Sequence, residues 1–296
     1  MEEWNEKYSG LIPCASVTYP EENFIEFYTE GKYKLSTYRY PAPEPKAQVY
    51  LIHGMHGTAL VLTHIAKRLA ESNCEILAFD QKGHGKSQGP RGKIRSLQNY
   101  VKDQIRFIEA THKKDLPVFL VGESMGGAIS VLVSLEIPNI QGIILLAPAL
   151  GVNPDFEPFL RKIVKILAKC CPGLPLKEMD PSLMSRNPYN ADFLRECPYI
   201  YSGRMDAGTG AAMLKGLESL QTRFGEVTTP ILVFQGGRDE VCSPDIVKRF
   251  IKEVPASDKT LIFNEDLYHI VTNEPEFPEY LELMTDWINQ RVSNTL

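Results

Sequence analysis

The stretch Val118-Phe119-Leu120-Val121-Gly122-Glu123-Ser124-Met125-Gly126-Gly127-Ala128-Ile129-Ser130 decides how this chain folds. Its first four residues are continuously apolar, as in a strand covered by helices on both faces. Its last five are mostly small and apolar, as in a helix that packs closely. Between them stands G-x-S-x-G. A sharp strand-to-helix turn of this kind leaves a serine hydroxyl exposed, and its glycines let the strained backbone pass close to its neighbours.

The motif alone is weak, because chance supplies roughly 0.1 match per chain of this length. A second match exists at Gly85-Lys86-Ser87-Gln88-Gly89. Ser87 is separated from the strand before it by Asp80-Gln81-Lys82-Gly83-His84, and Pro90, Arg91 and Gly92 follow instead of a helix. Context therefore selects Ser124 as the nucleophile and Ser87 as a loop serine. Gly85-Lys86-Ser87 also ends like a phosphate-binding loop. Asp80 occupies the place of its first glycine and no helix follows at once, so nucleotide binding is set aside.

Working outward, strands are expected at 23–28, 34–40, 48–52, 75–79, 117–121 and 140–146. Helical spacing covers 58–71, 97–110 and 128–135. From about Leu150 to Val227 this alternation stops, and only 156–169 reads as an amphipathic helix. It resumes with strands at 231–234 and 260–263 and helices at 244–253 and 279–292. The pattern predicts an α/β fold with a mostly parallel central sheet flanked by helices and an inserted helical cap. The core is expected at 1–149 with 228–296, and the cap or lid at 150–227. Ser124 lies before the insertion and the other catalytic candidates after it, so the two flanks must fold as one core.

Composition narrows the function classes. The chain has 296 residues, with 43% hydrophobic and 23% charged, which excludes a disordered chain, a fibre and a coiled coil. A net charge of −5 without a basic run makes nucleic acid an unexpected partner. No apolar run spans a bilayer, and the sequence from Met1 lacks the pattern of a secretory signal. A cytoplasmic protein, with peripheral membrane association in reserve, is expected. Six cysteines without a C-x-x-C pair suggest free thiols, and no disulfide framework, metal or cofactor is expected.

A serine needs a base to take its proton and a carboxylate to hold that base. In hydrolases built on this elbow the chain order is Ser, acid, His. His269 is the one histidine after Ser124. It follows the strand at 260–263 by a short loop, at the carboxyl end of the sheet where ligand sites gather. Asp239, after the strand at 231–234, is the first choice of acid. Asp245 is the runner-up, although Pro244 beside it resembles an ordinary helix start. Asp206, in the insertion, ranks last. The tetrahedral oxyanion needs two backbone N–H donors, assigned to Met125 and Met55. His53, in the Met55 loop, is read as loop-shaping.

Several landmarks together resemble a known group. They are Leu51-Ile52-His53-Gly54, Phe79-Asp80 with Gly83 to Ser87, Gly122 to Gly127, Asp180-Pro181-Ser182 with Ser185-Arg186-Asn187, Gln235-Gly236 with Asp239 and Cys242, and Tyr268-His269. The chain is similar to the monoacylglycerol lipase and lysophospholipase group of the α/β-hydrolase superfamily, among serine aminopeptidase S33-type hydrolases. The resemblance implies a serine hydrolase that cleaves single-acyl lipid esters through an acyl-enzyme, with Ser124, Asp239 and His269 as triad and Met55 and Met125 as oxyanion hole. One departure stands out. Mammalian lipases of the group carry an acidic and a basic residue in the oxyanion loop, facing the glycerol headgroup. Here His53-Gly54-Met55-His56-Gly57-Thr58 holds no carboxylate.

In the insertion, Phe156, Phe159, Leu160, Ile163, Val164, Ile166 and Leu167 form an apolar face beside Arg161, Lys162, Lys165 and Lys169. Such a helix either packs on its own domain or touches a lipid surface. Cys170 and Cys171 close it and are expected to be buried thiols. The partner expected is a small-molecule lipid ester. A lysophospholipase or broad carboxylesterase is the nearest alternative. A proline-releasing aminopeptidase would need cap carboxylates for a free amine, from among Glu157, Glu178, Asp192 and Glu196. A non-catalytic binder is the remaining alternative, and an intact triad argues against it.

Overall fold

The computed structural model describes residues 6–30, 32–152, 158–176 and 180–293. Phe156, Glu157 and Glu178 lie outside the described residues, as do the side chains of Phe159 and Leu160.

Among the described residues, eight strands form one sheet in the order β1 (Glu21–Glu22), β4 (Thr37–Tyr40), β6 (Cys74–Phe79), β5 (Ala47–Ile52), β7 (Val118–Glu123), β8 (Ile140–Leu146), β9 (Ile231–Gly236), β10 (Lys259–Asn264). From β6 to β10 every neighbouring pair is parallel, and only β1 and β4 run antiparallel. The early strands differ from expectation. Residues 34–40 divide at Ser36: β3 (Tyr33–Leu35) pairs with β2 (Phe27–Thr29) as a separate hairpin, while β4 joins the main sheet. Alternation of apolar residues could not reveal that one run serves two sheets.

Strand pleat sends alternate side chains to opposite faces. Tyr50 and Ile52 of β5 join one core, with Leu97, Val101 and Phe107 of the helix Leu97–Thr111 and with the helix Met125–Glu136. Val49 and Leu51 join the other, with Ile65 and Leu69 of the helix Thr63–Glu71 and with Met284 and Ile288 of the helix Phe277–Ser293. Burial on both faces explains why the central strands read as continuous apolar runs.

Between β8 and β9 come the helices Pro158–Cys170, Asn190–Glu196 and Ala207–Gln221. The first packs on the third: Val164 joins the core, and Lys165 pairs with Glu218 at 2.9 Å. Ile163, Val164 and Leu167 are half-buried, but Ile166 is 59% exposed, so the apolar face exceeds what packing consumes. Cys170 and Cys171 are exposed, contrary to expectation, because the helix ends beyond its packed face. Among the described residues no helix is long and apolar enough to cross a membrane.

Candidate active site

Four loops that leave the carboxyl ends of parallel strands meet at one place, as open α/β sheets favour. They follow β5, β7, β9 and β10, and carry His53–Gly57, Ser124, Asp239 and His269 in turn.

Ser124 sits between β7 and the helix Met125–Glu136 with φ 52° and ψ −116°. That conformation costs a non-glycine residue roughly 1–3 kcal/mol. Backbone hydrogen bonds hold it. Ser124 N–H donates to the Leu146 carbonyl at 2.9 Å, and the Ser124 carbonyl accepts from Gly127 and Ala149, each at 2.9 Å. The glycines of the motif have a steric cause. A Cβ on Gly126 would strike the Ile52 carbonyl at the end of β5, so only glycine lets the elbow press against that strand. A Cβ on Gly54 would stand 3.1 Å from the Ser124 Cβ, which shows how tightly the β5 loop abuts the serine. No protein acceptor for the Met55 or Met125 N–H occurs among the described residues, and Met125 is fully buried.

Asp239 is fixed by four donors. Its Oδ1 accepts from the Val241 N–H at 2.8 Å and the Cys242 N–H at 2.9 Å. Its Oδ2 accepts from Gln235 Nε2 at 3.1 Å and from His269 Nδ1 at 2.9 Å. Both partners are buried. Burial pulls the His269 pKa down. The charge and hydrogen bond of Asp239, with the charge of Glu123, outweigh it and hold His269 above the ordinary histidine range. Cys242 places its Sγ 4.0 Å from Ser124 Oγ, and burial beside Asp239 keeps it a protonated thiol. Asp239, Cys242 and His269 bring ligating atoms within 4.8 Å of one another. The Asp239 and His269 atoms are already bonded to each other, which suits proton handling better than a metal.

Other candidates have structural roles. His53 accepts from the Gln81 N–H at Nε2, 2.9 Å, and its Nδ1 donates to the Gly54 carbonyl at 2.7 Å. Burial lowers its pKa to about 4, so it stays neutral and shapes the loop. Ser87 donates to the Asp80 carbonyl at 2.5 Å and accepts from the Ser36 N–H at 2.8 Å, so its hydroxyl is spent on the backbone. Asp245 is exposed in the first turn of the helix Pro244–Glu253. Asp206 caps the helix Ala207–Gln221 and pairs with Lys93.

A cavity of about 220 Å³ opens over Ser124 and His269. Val61, Met184, Phe193, Ile200, Met205 and Val241 supply apolar wall, and Met55 lies within it. Sequence reasoning missed the roles of two residues. Gln235 stood among the landmarks without a role, and here its Nε2 donates to the Asp239 carboxylate. Glu123, the variable position of the serine motif, lines the cavity while nine-tenths buried. The motif treats that position as free, so it gave no signal.

Comparison with known proteins agrees with this architecture. A family model described as serine aminopeptidase, S33 (Hydrolase_4) matches residues 43–276. The chain is 30% identical over 270 residues to monoglyceride lipase of Rattus norvegicus, covering 89% of each. It is 30% identical over 251 residues to monoacylglycerol lipase of Mycolicibacterium smegmatis, covering 84% of this chain and 90% of that protein. The crystal structure of Paleococcus ferrophilus monoacylglycerol lipase superposes with a TM-score of 0.78 at 27% identity, covering 88% of this chain and 98% of that one. With family match, relatives and fold in agreement, the chain belongs to the serine aminopeptidase S33 family of α/β-hydrolases, in its monoacylglycerol lipase-like group of carboxylic ester hydrolases.

Proposed function

We propose that the protein hydrolyses esters of single-acyl lipids, monoacylglycerols first, by a Ser124–His269–Asp239 triad. The observation that carries this is the buried 2.9 Å His269–Asp239 pair, whose His269 lines the same largely apolar cavity as Ser124. The acyl chain lies along the apolar wall. Ser124 Oγ attacks the ester carbonyl while His269 Nε2 takes its proton. Asp239 keeps the Nδ1–H tautomer and stabilises the imidazolium that forms. The oxyanion receives the N–H groups of Met55 and Met125, each worth a few kcal/mol in such sites. Collapse passes the proton to the leaving alcohol and leaves an acyl group on Ser124. Water, activated by His269, then releases the fatty acid.

Residues 150–227 act as the cap of one core made of 1–149 and 228–296. Of the carboxylates an aminopeptidase would need, Asp192 and Glu196 pair at the surface with Arg195 and Lys7, which favours the ester reading. Arg195 and Arg204 in the cavity wall favour lysophospholipids as a second substrate class. The test is turnover of monoacylglycerol, lysophospholipid and aryl ester by wild type and Ser124→Ala, with fluorophosphonate labelling. Unlabelled, folded wild type would refute the reading.

The cap helix also meets lipid surfaces, through exposed Ile166 beside Lys162 and Lys169. Ile166→Glu is expected to lower turnover of vesicle-borne monoacylglycerol several-fold and to spare a dissolved short ester. Equal rates on both substrates would remove the surface contact.

A further inference from the structure

The oxyanion loop holds no carboxylate, but the folded chain places one in the cavity from another element. Glu123 ends β7, next to the nucleophile, and lines the same cavity as Ser124 and His269. It is only 8% exposed. Its Oε1 accepts a single long hydrogen bond, from Thr272 Oγ1 at 3.3 Å. Its Oε2 has no hydrogen-bond or ion-pair partner among the described residues. A buried carboxylate with an unused oxygen is costly unless something meets it. The triad leaves it no part: His269 Nδ1 is committed to Asp239, and Ser124 loses its proton to the other ring nitrogen.

We infer that Glu123 selects the alcohol half of the substrate, with its unpaired oxygen accepting a hydrogen bond from a free hydroxyl of a polyol ester. The inference rests on the esterase reading above and adds to it the residue that reads the headgroup, in an alcohol that retains at least one hydroxyl beside the ester. A simple alkyl ester offers no donor and leaves the carboxylate as unpaired as before. Discrimination of this kind, by a buried polar group that only the right substrate satisfies, exceeds what apolar contacts achieve.

The experiment compares a 1-monoacylglycerol with the methyl ester of the same fatty acid, in the same micelles. It uses wild type, Glu123→Leu and Glu123→Gln, with thermal melts to confirm folding. The assay is run well above the His269 pKa, so that loss of the Glu123 charge does not change how much His269 is neutral. Glu123→Leu is expected to lose about 10- to 100-fold in kcat/KM on the monoacylglycerol, the scale of a hydrogen bond to a charged group. The methyl ester should stay within about 2-fold, since it never used the carboxylate. Glu123→Gln keeps an acceptor and should recover most of the loss. If Glu123→Leu does not fold, Glu123→Met replaces it. Equal losses on the two esters, or none on either, would overturn the inference while leaving the esterase intact. Wild type that cleaves neither ester would remove the parent reading, and this one with it.

Discussion

Asp239→Asn tests the orienting role proposed for Asp239. In the folded chain the Asp239 Oδ1 is pinned by two backbone donors, the N–H groups of Val241 at 2.8 Å and Cys242 at 2.9 Å. An asparagine must keep its oxygen there, because its NH2 group cannot face two N–H donors. The NH2 then occupies the Oδ2 position, opposite His269 Nδ1. It can donate only to an unprotonated Nδ1, so the ring shifts its proton to Nε2. That nitrogen can no longer accept the Ser124 proton. In a triad of this kind the wrong tautomer lowers kcat by about four decades, equivalent to about 5.4 kcal/mol at 1.36 kcal/mol per tenfold. The fold should barely notice. Gln235 Nε2 loses one acceptor but keeps the Gly236 carbonyl at 3.0 Å, a cost of about 1 kcal/mol. The assay is kcat on a short aryl ester, with a thermal melt alongside. Added to Ser124→Ala, Asp239→Asn should cost almost nothing more, because triad members act as a unit. A loss under tenfold in folded protein, or additive losses in the double variant, would refute the assignment.

Two further outcomes are expected. As the proposed base His269 works only when neutral, so activity should be present above its pKa and lost as pH falls through it. Burial alone would move that pKa down, but Asp239 and Glu123 raise it, so the acidic limb of kcat/KM should inflect above the ordinary histidine value of 6.5. An inflection below that value would count against the pairing. Cys242 is a buried thiol 4.0 Å from Ser124 Oγ. Bulky maleimides should therefore inactivate slowly by filling the site, and Cys242→Ala should be active and insensitive. Inactivation that persists in Cys242→Ala would point to another thiol.

The parallel strands and the elbow turn at Ser124 were legible because each leaves a local mark. A strand covered on both faces must be largely apolar, and β5 to β9 each carry a single Gln or Glu among apolar residues and glycine. An elbow needs Gly126, since any side chain there would meet Ile52. The residues read least well are those whose role is set by neighbours distant in sequence. Ser87 and Ser124 share a motif, and the difference lies in their surroundings. The Ser87 hydroxyl is consumed by Asp80 and Ser36, while Ser124 opens into a cavity. Cys170 and Cys171 follow an apolar helix and look buried, yet the helix Ala207–Gln221 covers only part of that face. Residues 34–40 alternate as one strand, yet the break at Ser36 follows from two different pairing partners.

By itself, then, the sequence determined the layered α/β fold, the interruption after β8 and the elbow serine, because propensity, periodicity and glycine sterics act over a few residues. Tertiary structure alone decided which polar atoms find partners. It gave Asp239 four donors, left one oxygen of Glu123 facing the cavity without a donor among the described residues, and set Cys242 beside Ser124. Such pairing depends on atoms that only folding brings within hydrogen-bond reach, and no local pattern along the chain records it.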